Sequence, residues 1–263
     1  MSLRQRLFFV VASCAIALFA YTSVATGQFF PLPEPDPSCP PGQNTVYGTD
    51  GNDARTGTPL NDVMFAGEGD DVFEGEAADD CLIMGTGIDI GNGGDGDDRI
   101  IGEAGDDRLG GDDGDDRVSG QDGDDRVNGG DGNDRLTGGV DDDRITAGNG
   151  PDIATGGSGN DILSMGGAVD TGSGGPGNDE VFGGLQDDRV SGGSGPDRVN
   201  GDSGNDRVSG GGGADNLNGG AGRDRMIARD GTKDTVNCGR GRDVAIVDSV
   251  DSVSSNCEIV RVG

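Results

Sequence analysis

From Met64 to Met226 a sizeable apolar residue returns at nine-residue steps. It appears as Phe73, Leu82, Ile100, Leu109, Val118, Val127, Leu136, Ile145, Leu163, Val181, Val190, Val199, Val208 and Leu217. The residues on either side are mostly polar, as in Arg117/Ser119, Arg126/Asn128 and Arg135/Thr137. Side chains of a strand alternate between its faces, so the pattern predicts short strands that each bury one residue and expose its two neighbours. A fixed period of this kind marks a repeat architecture.

Counted from Gly48, twenty nine-residue units run to Ile227 without an insertion or deletion. Position one is Gly in sixteen units, position four is Gly in fifteen, and position eight is the apolar residue in sixteen. Position six is Asp in all twenty: Asp53, Asp62, Asp71, Asp80, Asp89, Asp98, Asp107, Asp116, Asp125, Asp134, Asp143, Asp152, Asp161, Asp170, Asp179, Asp188, Asp197, Asp206, Asp215 and Asp224. The register slips by one before Asp234, and CGRGRDVAI at 238–246 then fits it again, with Asp243 at position six. These twenty-two aspartates are the candidate metal ligands. A hard cation such as calcium takes six to eight oxygens from carboxylates and backbone carbonyls. A turn aims its carbonyls inward only through unusual dihedrals, which Gly tolerates.

Charge supports that reading. The 263 residues hold 49 acidic and 19 basic side chains, with 55 glycines, no His and no Trp. Such a chain repels nucleic acid and anionic membranes and attracts cations. Without residues 1–27, 17 basic residues face 49 acidic ones, a net charge of −32. About sixteen to eighteen divalent ions would come near to cancelling it. One apolar side chain per unit offsets little of the cost of ordering nine residues, and aligned carboxylates repel one another. The expectation is therefore coupled folding, with the chain unfolded without calcium and rolled with it.

The motif GGxGxDxUx, with U apolar, resembles the RTX family of calcium-binding nonapeptide repeats, and the resemblance covers 180 of the 263 residues. It implies an all-β fold, a parallel β-roll solenoid. In that family the first six residues of a unit form the calcium-binding turn and the last three a strand. Successive strands alternate between two parallel sheets, so units 18 residues apart stack. An ion would then lie between Asp116 of one turn and Asp134 of the next, with Asp107, Asp125 and Asp143 lining the opposite edge.

Several units depart from the motif. Gly91 and Gly172 occupy position eight, and each lies in a unit that opens on Met, Met84 and Met165. A Met pointing inward would fill the volume those glycines leave. Ala66 and Ala147 open two further units at the same 81-residue separation, which hints at a nine-unit duplication, with independent drift as the alternative. Leu60, Ala78, Asp141, Ala168 and Gln186 replace Gly at position four, where the turn is expected to be strained. Arg fills position seven in ten units. Stacked one strand apart, these arginines are expected to pair with position-five acids such as Asp97, Asp115 and Asp124. The alternative is a face that grips an anionic glycan.

The ends complete the domain plan. Arg4 and Arg6 precede an apolar run from Leu7 to Ala20, the pattern of a secretory signal over residues 1–27, cleaved after Ala25 or Gly27. An uncleaved anchor and a lipoprotein built on Cys14 are the alternatives. Residues 28–47 are Pro-rich and read as a linker or cap, 48–227 as the calcium-binding roll, and 228–263 as a C-terminal cap, with Asp248 and Asp251 as weaker ligand candidates. Export permits disulfides, and position along the chain favours Cys39–Cys81 and Cys238–Cys257. No His is present for a Ser-His or Cys-His pair. The resulting expectation is a secreted, extracellular, non-catalytic calcium-binding module whose partners are calcium ions and an unidentified surface molecule such as a glycan. A surface-layer component, a calcium buffer and a hydrolase lacking its catalytic domain are the competing readings.

Overall fold

The computed structural model describes Cys39 and residues 44–263. The signal, anchor and lipoprotein readings, and most of the Pro-rich segment, lie outside the described residues. Every nonapeptide supplies a strand, and within the repeat strands 18 residues apart pair in parallel. Strand Arg135–Val140 lies between Arg117–Asp122 and Ile153–Ser158. Strand Arg126–Asp131 lies between Arg108–Asp113 and Arg144–Asn149. Consecutive strands thus alternate between two parallel sheets, one of thirteen and one of twelve strands, and a two-stranded pair joins Ala221–Gly222 to Arg240–Gly241. This is the all-β parallel roll that the family resemblance implies.

Most strands are longer than three residues. Arg117–Asp122 covers positions seven to three of the next unit, and both Val118 and Gly120 are buried. Position one therefore faces inward with position eight, which corrects the expectation that position eight alone does so. The reason is the continued alternation of a six-residue strand. The chain bends at position two, where Asp112 and Gln121 hold φ of 74° and 85°.

Position one pointing inward accounts for the methionines. Met84 and Met165 are fully buried. A methyl group built on Gly91 would lie 3.0 Å from the Met84 sulfur, and one on Gly172 would lie 2.9 Å from that of Met165. In these two units the core volume has moved from position eight to position one. The rest of the core is one continuous column from Met64 to Cys257.

Strain at position four is only partly as expected. Ala78, Asp141 and Gln186 sit at φ of 73°, 77° and 75°, the left-handed region that L side chains avoid. Leu60 and Ala168 are absent from that region, and a local bridge between Thr58 and Leu60 replaces the usual turn. Most units keep Gly there for a second reason. A Cβ on Gly132 would press into the carbonyl oxygen of Gly114 in the preceding turn.

Beyond residue 227 the roll continues. Thr235–Asn237 pairs with Asn216–Asn218, and Val244–Val247 with Arg225–Ala228. The extra residue is absorbed in the exposed stretch 229–233. Cys238 and Cys257 are disulfide-bonded inside the last coils. Cys39 and Cys81 form the other bridge, within a separate apolar cluster with Val63, Phe65 and Ile83, and Tyr47 stacks on Phe65 at 5.4 Å. Both expected pairings are present. No helix among the described residues is long and apolar enough to cross a membrane.

Candidate metal centre

The turn between consecutive strands occupies positions four to six, and the Asp at its end is carried inward as the next strand begins. All the motif aspartates except Asp53 are 3 % exposed or less. The structure gathers them into two columns, one along each edge of the roll. The backbone N–H of each aspartate donates to Oδ1 of the next in its column. Asp98 donates to Asp116 at 2.8 Å, Asp116 to Asp134 at 2.9 Å and Asp134 to Asp152 at 2.8 Å. On the other edge Asp107 donates to Asp125 and Asp125 to Asp143, both at 2.9 Å.

The first column runs Asp53, Asp71, Asp89, Asp107, Asp125, Asp143, Asp161, Asp179, Asp197, Asp215 and Asp234. The second runs Asp62, Asp80, Asp98, Asp116, Asp134, Asp152, Asp170, Asp188, Asp206, Asp224 and Asp243. Asp251 closes the first, accepting from the Asp234 N–H at 3.0 Å through Oδ1 and from the Asp248 N–H through Oδ2. Glu258 closes the second, accepting from the Asp243 N–H at 2.8 Å. Sequence reasoning missed Glu258, which follows Asp243 by 15 residues and shares no register with the repeat.

One oxygen of each carboxylate is left over. Twenty of the twenty-two aspartates hold a buried carboxylate oxygen without a hydrogen-bond partner, usually Oδ2. The exceptions are Asp234, at the register slip, and Asp53. Asp53 accepts from Thr49 through both N–H and Oγ1 and pairs with Arg55 at 2.7 Å. Buried unpartnered polar atoms are rare and costly, and a series of them in equivalent places calls for a ligand. Beside each free oxygen lies backbone. A methyl group built on Gly102 would be 2.5 Å from Asp107 Oδ2 and 2.6 Å from the Gly120 carbonyl oxygen. On Gly201 it would be 2.7 Å from Asp206 Oδ2 and 2.6 Å from the Gly219 oxygen. Position one is thus pressed by a carboxylate and by a carbonyl oxygen from the neighbouring turn, with no room for a Cβ.

Among the described residues no three acidic or cysteine side chains converge on one point. The donor set at each turn is one carboxylate oxygen plus main-chain carbonyls, all hard oxygens. That suits calcium and does not suit zinc. A bound calcium ion would supply charge neutralisation and oxygen coordination. The protein's own part is to hold the carboxylates, pinned by the N–H bonds, and to expose the carbonyls.

Electrostatics shows the need for that neutralisation. Burial raises the Asp98 and Asp143 carboxyls to about 8, and those of Asp107, Asp116, Asp188 and Asp206 to about 7. The N–H bond from the neighbouring aspartate opposes the rise, and repulsion from nearby carboxylates adds to it.

The position-five residues form an outer, exposed ladder. Asp115 accepts from the N–H and the side-chain amide of Asn133, which hold its carboxyl below the usual range. Asp97 accepts from the Asp115 N–H and Asp124 from that of Asp142, both at 3.0 Å. The expected Arg pairing is not formed within 4.0 Å, and these carboxylates accept from donors of the adjacent turn instead. Among the described residues the one ion pair within 4.0 Å is Arg55–Asp53. Arg108, Arg126 and Arg144 instead stand in register with one another on one sheet, and Arg99, Arg117 and Arg135 do so on the other.

A family model described as the RTX calcium-binding nonapeptide repeat (four copies) matches residues 56–91, 83–118, 110–145, 137–171, 166–199 and 191–226. These overlapping matches cover the roll continuously from 56 to 226. No curated protein matches the chain.

Proposed function

The chain belongs to the family of RTX calcium-binding nonapeptide repeat proteins, and from this premise we propose that it is a secreted, non-catalytic module that acquires its roll outside the cell by taking up calcium along both aspartate columns. The observation that carries the reading is the series of buried carboxylate oxygens that the protein leaves without a partner. A compartment poor in free calcium keeps such a chain extended and exportable, and a calcium-rich exterior folds it. The apolar run between Leu7 and Ala20 supports export. The test is fractionation of host cells producing a C-terminally tagged chain. The expected result is tagged protein in the medium, starting near residue 26 or 28 and resistant to protease only while calcium is present. A folded, full-length chain retained in the cytosol would overturn the reading.

A second reading concerns what the folded module binds. Its support is that Arg108, Arg126 and Arg144 are exposed and have no acidic partner within 4.0 Å among the described residues. Once calcium offsets the aspartates, this row presents repeated cations at the strand spacing of about 4.8 Å. An anionic glycan is the partner of matching chemistry. Retention of the secreted protein on a sulfated-glycan resin with calcium, lost on Arg126→Glu, is expected. Flow-through with calcium would end this reading.

A further inference from the structure

We propose that the turns of four units, those opening on Ala66, Met84, Ala147 and Met165, hold no calcium, so that each aspartate column is interrupted by a gap two turns deep. The proposal rests on the calcium reading above and says where along the columns it fails.

In the glycine-opened units the free carboxylate oxygen and the neighbouring carbonyl oxygen meet beside a bare Cα. At Gly183, as at Gly102 and Gly201, an added methyl would stand within 2.9 Å of Asp188 Oδ2 and 2.7 Å of the Gly201 oxygen. No real carbon stands that close to two oxygens without displacing them. The two oxygens can therefore come this close together against the backbone only where position one lacks a Cβ. Ala66, Met84, Ala147 and Met165 each place a buried carbon there. Their aspartates, Asp71, Asp89, Asp152 and Asp170, still accept the backbone N–H of the preceding turn, so the column passes through unbroken as a hydrogen-bond chain. What the Cβ prevents is the close approach of the second oxygen to the neighbouring carbonyl, and in all four that oxygen remains buried and unpartnered.

The arrangement argues against scatter. Ala66 and Met84 lie on neighbouring strands of the thirteen-stranded sheet, and Asp71 and Asp89 are consecutive in the first column. Ala147 and Met165 lie on neighbouring strands of the twelve-stranded sheet, and Asp152 and Asp170 are consecutive in the second. The 81-residue shift equals four and a half turns of the roll, which moves the same Ala-then-Met pair from one edge to the other. In both copies the Met side chain packs against a Gly at position eight of its own unit. Filling the position-one space and emptying the core at position eight thus come as one packing solution.

The test is an ion count on the full chain by native mass spectrometry, which resolves species differing by a single calcium. Ala66→Gly removes one methyl group. Met84→Gly with Gly91→Val restores the motif while keeping the core filled. Each is expected to bind one calcium more than the wild type, and Gly129→Ala one fewer, with the far-UV spectrum of the calcium form unchanged. An unchanged count in both Ala66→Gly and the Met84→Gly/Gly91→Val chain would overturn the proposal. A wild type that binds no calcium would instead overturn the calcium reading itself, so the two failures are distinguishable.

Discussion

Removing calcium at pH 7.5 is expected to convert the far-UV circular dichroism of this protein from β-sheet to coil, and adding it back to restore the sheet cooperatively. The physical reason lies in the two columns. Each places ten or more carboxylates at strand spacing in a buried setting, with half of their oxygens unpartnered. Like charges this close and this dry cannot all remain ionised without compensation. The core offers only one or two inward side chains per nine residues to oppose them. Magnesium is expected to fail, since it demands near-ideal octahedral geometry and gives up its waters reluctantly. Substitution separates the two roles of a column aspartate. Asp134→Asn keeps the acceptor for the Asp116 N–H and is expected to raise the calcium midpoint while leaving the loaded fold intact. Asp134→Ala also strands that N–H, and is expected to cost a further 1–3 kcal/mol or so in a denaturant titration of the loaded form. A spectrum already β in EDTA at this pH would defeat the coupling.

Acid is expected to stand in partly for calcium. In the metal-free roll, burial raises the Asp224 carboxyl to about 6, that of Asp107 to about 7 and those of Asp98 and Asp143 to about 8, whereas an unfolded Asp titrates near 3.9. The folded state therefore binds more protons than the unfolded one across this interval, and stability falls as pH rises. The contribution is fully present below pH 4 and is lost as pH climbs through 6 to 8. In EDTA the chain should thus gain β-structure when brought from pH 8 to pH 4.5. With calcium present the sign reverses, because coordination requires the ionised form and acid competes with the metal. The calcium midpoint should rise steeply between pH 7.5 and 5.5. Identical spectra at pH 8 and pH 4.5 in EDTA would contradict the burial that drives these shifts.

Much of this was legible in the chain because a repeat reports each position many times over. The nine-residue return of Asp116, Asp125 and Asp134 located both columns, and Val118, Val127 and Leu136 located the core. The pairing of Met84 with Gly91 was also readable, since compensating volumes within one unit leave a trace in composition. Other features leave none. That Arg117–Asp122 pairs over six residues depends on a bend at Gln121, and Gln gives no hint of a left-handed conformation. The choice of Asp115 to bind Asn133 and not an arginine is decided by which donor lies closer after stacking. Phe65 and Ile83 sit where most other units carry polar residues, and only the Cys39–Cys81 bridge beside them shows that this outer face is covered. Glu258 was unreadable because it replaces an aspartate from outside the register.

Each buried column has a direction. In every position-six pair the earlier aspartate gives its N–H and the later one receives it, so no turn is complete until the turn after it exists. A chain leaving a cell amino end first would always trail one unfinished layer at its growing edge. Only Asp251 and Glu258, which accept the last N–H groups, end that dependence. Shortened from the carboxyl end, the protein would carry its defect at the new tip wherever the cut fell. Shortened from the other end, it would lose layers and keep its closure.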